Sequence, residues 1–93
     1  MHQKEKFPVP FSIVVSREGK WFIAYCPVLD IGTQGRSEKE VKENIKDLIE
    51  DYLTDPDTQK PSLKNLMASS VSLFSIPVKV GVSHGKIAFS RSR

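Results

Sequence analysis

Ninety-three residues and 10.5 kDa leave room for one domain around one core, far below the roughly 250 to 300 residues at which chains divide. At 39% hydrophobic and 27% charged, with five Gly and six Pro, the composition is that of a folded domain and excludes a disordered or collagen-like chain. The net charge of +3 is unevenly spread: residues 37–57 hold eight acids and three lysines, the rest of the chain eleven basic residues and three acids.

No apolar run approaches the roughly 20 residues that span a bilayer, and residues 1–10 carry no long apolar stretch of the signal-peptide kind. The expectation is a cytoplasmic protein without a membrane association. A single cysteine, Cys26, has no intramolecular disulfide partner and no companions for a cysteine-rich zinc site.

Residues 11–16 and 21–26 are rich in β-branched and aromatic side chains and flank Arg17-Glu18-Gly19-Lys20. The pattern predicts a β-hairpin with Glu18-Gly19 at its tip. That turn pairs Val15 with Phe22, Ile13 with Ala24 and Phe11 with Cys26, so all six apolar side chains share one face. The opposite face then presents Val14, Trp21, Ile23 and Tyr25 among serines. Residues 31–34 are expected to form a third strand, with Gly35 ending it.

Ser37 followed by Glu40 reads as a capping box. Val41, Ile45, Leu48, Ile49, Tyr52 and Leu53 continue as one apolar stripe of a helix running to about residue 53, which Pro56 then stops. Leu63, Leu66 and Met67 suggest one or two further helical turns. Residues 71–80 have β composition, with Pro77 favouring an edge strand or a bulge, and Ser83-His84-Gly85 turns the chain into residues 86–89 as a C-terminal hairpin. The predicted fold is α+β: an antiparallel sheet of three to four strands with one main helix packed on one face. It forms a single domain over residues 1–93, with its core at about 9–80 and a short extension at 81–93 that includes a possible strand.

A hydrolase needs convergent acids, a nucleophile with its base, or metal ligands. With His2 near the terminus, His84 in a predicted turn and Cys26 on the inward face, no such constellation is legible, and no metal, cofactor or catalytic residue is assigned. Gly32-Thr33-Gln34-Gly35 lacks the spacing and the lysine of a phosphate-cradling loop.

Two features point to binding. One amphipathic helix covers only one face of a small sheet, so Val14, Trp21, Ile23 and Tyr25 remain as a cluster of the residue types found in interface cores, unless the C-terminal segment folds over them. Glu43, Asp47 and Glu50 lie on or beside the side of the helix opposite its apolar stripe and would steer or dock a basic partner. The chain's basic end, Lys79, Lys86, Arg91 and Arg93, supplies the alternative of nucleic-acid contact.

The run Ala24-Tyr25-Cys26-Pro27-Val28-Leu29, then Thr33-Gln34-Gly35, then Ser37-Glu38-Lys39-Glu40-Val41-Lys42-Glu43-Asn44-Ile45 resembles the HicB family of antitoxins over about residues 9–55. Members run from an alanine-containing strand through a proline and a Thr/Ser-Gln-Gly turn into a helix beginning Thr-x-Glu-Glu-Ala-x-x-Asn. The resemblance implies a partial RNase H-like fold without nuclease chemistry that sequesters a small basic mRNA-cleaving toxin, HicA. Asp30-Ile31-Gly32 stands where many members have Pro-Gly-Cys, and residues 81–93 are too short for the family's helix-turn-helix. The expectation is therefore a non-enzymatic HicB-like module that binds a HicA-like toxin and forms a homodimer or higher oligomer through its open sheet face or a free sheet edge. The alternative is a stand-alone HicB-like oligomer that binds nucleic acid through its basic tail.

Overall fold

A computed structural model describes residues 7–88. Three strands, β1 (Val14–Glu18), β2 (Trp21–Cys26) and β3 (Ile31–Gly35), form an antiparallel sheet in the order β1-β2-β3, and helix α1 (Glu38–Thr54) packs across one face. After a loop come the short helix α2 (Leu63–Ala68), an extended stretch, and a separate two-stranded hairpin of β4 (Gly81–Ser83) and β5 (Lys86–Ala88). The main sheet and helix give the α+β architecture the sequence predicts. No helix among the described residues is long and apolar enough to cross a membrane.

The first hairpin departs from expectation in its turn. Its tip is Gly19-Lys20, with Gly19 at φ 63° in the position where a type II′ turn demands glycine. Glu18 therefore pairs with Trp21, Arg17 with Phe22 and Val15 with Ala24. Strand β1 accordingly starts later than residue 11 and runs past residue 16. Relative to the predicted pairing every partner moves by two residues, and a two-residue slip returns each side chain to the same face. The inward face is thus the predicted one: Ala24 and Cys26 are fully buried, with Phe11, Ile13, Val15 and Phe22 packed around them.

Strand β3 includes Gly35 rather than ending before it, and pairs with β2 from Cys26–Ile31 to Phe22–Gly35. Gly35 is buried under α1, where an added Cβ would lie 3.0 Å from the Val41 nitrogen and 3.1 Å from its Cα. The helix starts as predicted: Ser37 is the N-cap, and its Oγ accepts a hydrogen bond from the Glu40 amide at 3.0 Å. Asn44 Nδ2 donates to the Gln34 carbonyl at 3.1 Å, tying the second helical turn to β3.

The buried ridge of α1 is Val41, Ile45 and Ile49, with Leu53 packed at its end. Each of the three contributes roughly 1.5 to 3 kcal/mol by leaving water. Leu48 and Tyr52, placed by periodicity in the same stripe, lie on its flank: Leu48 is 38% exposed, and Tyr52 Oη donates to the Gln59 carbonyl at 2.9 Å. The helix rests on β2 and β3, which puts Leu48 and Tyr52 at the β3 edge beside Ile31.

The predicted strand over residues 71–80 does not form; the segment is extended but pairs with nothing among the described residues. Its β composition requires a partner strand that the single chain does not place beside it. The C-terminal hairpin forms with His84 and Gly85 at its tip, both at positive φ, while Phe89 of the predicted second strand lies outside the described residues. The radius of gyration is 18.6 Å and the long dimension 68 Å, against about 12 Å for the radius of a compact chain of this length.

Candidate functional site: the open face of the sheet

Because partners directly opposed in a sheet point the same way, the face away from α1 is read directly from the pairing. It carries Val14, Ser16 and Glu18 on β1, Trp21, Ile23 and Tyr25 on β2, and Gly32 and Gln34 on β3. Val14 stands directly against Tyr25, and Ile23 lies between Ser16 and Gln34. The four candidate interface residues Val14, Trp21, Ile23 and Tyr25 are brought together, and no described helix or strand covers them. Val14, Trp21 and Ile23 are half-buried, and Tyr25 is exposed.

The ends of this apolar strip are polar and held. At one end the Arg36 guanidinium lies over the Trp21 ring, 5.2 Å from its centroid, a cation–π contact that fixes the indole and brings a positive charge to its rim. At the other, Tyr25 Oη donates to Asp30 Oδ1 at 2.7 Å. Asp30 sits at φ 56°, a left-handed conformation that aspartate tolerates better than most residues. Its carboxylate, accepting that hydrogen bond, holds the Tyr25 hydroxyl above its usual range; desolvation and the repulsion of the two charges add to the effect. The strip is thus apolar at its centre and polar at both ends.

Arg36 and Asp30 are the residues that sequence reasoning missed. Arg36 follows a glycine that looked like a strand terminator, and Asp30 sits in a loop five residues from the ring it engages. The aromatic at position 21 and the β-bend around residue 30 were the available signals.

The acidic residues Glu43, Asp47 and Glu50 are all exposed; Glu50 borders the groove between α1 and β1. All three sit on the helix layer, across the sheet from Trp21 and Tyr25, so the structure does not bring the two halves of the predicted partner site together. The acids of α1 also stay largely unpaired with its lysines; Lys42 and Glu38 form an ion pair at 3.2 Å one turn apart. Lys79 and Lys86 are exposed, one in the extended stretch and one in the C-terminal hairpin. Arg91 and Arg93 lie outside the described residues. Cys26 is buried against the helix while His84 lies at the tip of the C-terminal hairpin, and no group of three potential metal ligands occurs among the described residues.

Scanned against family models, curated proteins and solved structures, the chain finds no match.

Proposed function

We propose that this chain is a non-enzymatic protein-binding module, a HicB-like antitoxin that sequesters a small basic toxin of the HicA type. The observation that carries the binding role is the uncovered strip of Val14, Trp21, Ile23 and Tyr25, rimmed by Arg36 and Asp30. The toxin comes from the sequence resemblance at residues 24–29, 33–35 and 37–45. In this reading the open face makes the contact, and Glu43, Asp47 and Glu50, on the helix layer, act at a distance by drawing a basic partner toward the acidic helix.

The two roles predict different kinetics. Trp21→Ala or Tyr25→Ala should speed dissociation of a HicA-type toxin and weaken binding by about 1 to 3 kcal/mol, as for central aromatic anchors. Reversing Glu43, Asp47 and Glu50 to lysine should slow association, more so at low salt, and leave dissociation nearly unchanged. Surface-bound toxin and both sets of variants decide the matter, with toxin cleavage of mRNA as the functional readout. Failure of the intact chain to bind or silence the toxin would sink the proposal.

A second reading rests on the exposure of Lys79 and Lys86 in one protruding segment. Retention of RNA that weakens steeply between low and high salt and depends on residues 79–93 would favour nucleic acid over the toxin.

A further inference from the structure

Two unfinished features lie in the same chain. The first is the outer edge of β1. Helix α1 rests on β2 and β3, so the apolar side chains on the β1 side are only partly roofed. Between β1 and the helix runs an open groove of about 530 Å³, walled by Phe11, Ile13 and Val15 on one side and by Ile45, Ile49 and Leu53 on the other. Strand β1 is a terminal strand of the sheet, hydrogen-bonded to β2 alone.

The second feature is the unpaired stretch 71–80. It alternates with period two: Phe74, Ile76, Val78 and Val80 fall on one side, and Ser75, Pro77 and Lys79 on the other. These four apolar side chains are 74%, 68%, 72% and 55% exposed, and Leu73 is 84% exposed. A half-buried strand has this pattern, and Pro77 falls in the phase whose amides would face away from a neighbour when the apolar residues join the ladder. A proline is tolerated at such a position on an edge strand.

We propose that residues 71–80 of one copy add as a strand to the outer edge of β1 of a second copy, with Phe74, Ile76, Val78 and Val80 closing the groove beneath α1. The exchange is reciprocal, so a two-fold dimer completes both four-stranded sheets and leaves no arm over. A second copy is the occupant because within one chain both features stay unpartnered: residues 71–80 join no strand of the main sheet, and their apolar side chains stand exposed.

The four residues that would close the groove are all more than half exposed, a contiguous apolar strip of the kind that marks an interaction surface. Strand β3, the other edge, has Ile31 as its one apolar side chain, in a smaller groove of about 300 Å³ beside Leu48 and Tyr52 of α1.

The test is sedimentation of the full chain combined with amide hydrogen exchange. The proposal expects a particle of twice 10.5 kDa at high micromolar concentration, with amides of residues 74–80 slowed about 100-fold or more relative to unstructured chain. Dilution to the monomer should remove that protection. Phe74→Asp combined with Ile76→Asp should convert the dimer to monomer while α1 and the main sheet keep their circular dichroism, since neither residue touches the core. A chain that stays monomeric, a dimer whose residues 74–80 exchange freely, a dimer indifferent to the double variant, or a monomer with those amides protected by its own sheet would each overturn it. None of these outcomes depends on a toxin, so the dimer and the antitoxin reading stand or fall separately.

Discussion

Gly35 is where the helix comes closest to the sheet. Its missing side chain admits the Val41 backbone at about the distance a Cβ would occupy, and the obstacle is main chain rather than a flexible side-chain end. Gly35→Ala is therefore expected to push α1 off β3 and lose about 1 to 3 kcal/mol, as overpacked sites do, measurable as a lowered urea midpoint with unchanged slope. Gly32→Ala is the control: a Cβ there meets the Ala24 carbonyl at 3.4 Å and the Tyr25 ring at 3.5 Å, ordinary contacts.

The Tyr25–Asp30 pair gives the open face a pH dependence of definite sign. Because the folded-state pKa of Tyr25 lies above its ordinary value of 10.0, the folded chain binds the phenolic proton more tightly. The hydrogen bond's stabilisation is complete below pH 10 and is lost as pH rises through the raised value. Absorbance titration in a Tyr52→Phe background isolates this group, since the chain has two tyrosines. Asp30→Asn should bring the midpoint back down, and a midpoint indifferent to that substitution would refute the pairing.

At the scale of elements, helix α1 depends on its first turn. Ser37 holds the Glu40 amide, and Ser37→Ala should cost about 1 kcal/mol, read as a drop in the melting temperature, with Ser37→Asp retaining most of the stability. The C-terminal end has its own acid sensitivity. Hydrogen bonds from the Asp57 amide and Thr58 lower the Asp55 pKa below its ordinary 3.8, so this contribution is present above that value and lost as pH falls through the lowered one.

These elements were legible because their signals are local: the Ser37 cap, the four-residue spacing of Val41, Ile45 and Ile49, and the β-branched runs flanking Gly19. The face of each hairpin residue was legible even though the turn was not, since two-residue loops at Glu18-Gly19 or Gly19-Lys20 preserve the alternation. What local pattern lacked was the third dimension. Leu48 fits the helical period as well as Ile49 does, and only where the helix rests across the sheet decides which is covered. The open-face strip was legible as a cluster, but its rim was not, because Arg36 and Asp30 reach Trp21 and Tyr25 only after the strands are aligned.

For the molecule as a whole, the packed core draws on residues 11–53, while residues 72–87 are exposed throughout. A chain ending at residue 70 should therefore still unfold cooperatively. Its melting temperature should be independent of protein concentration, whereas that of the full chain should rise with concentration by mass action if the arms exchange. Calorimetry of both chains over a wide concentration range makes the comparison.

The burial of Cys26 turns the molecule into its own clock. It is the sole sulfhydryl in the chain and is fully enclosed between β2 and α1, so an aromatic disulfide reagent reaches it only when helix and sheet part. At high reagent concentration the rate of colour release equals the opening rate of the core, and at low concentration it reports the opening equilibrium. Strand exchange at the β1 edge would slow that release in proportion to the dimer present, with no probe attached and no residue replaced.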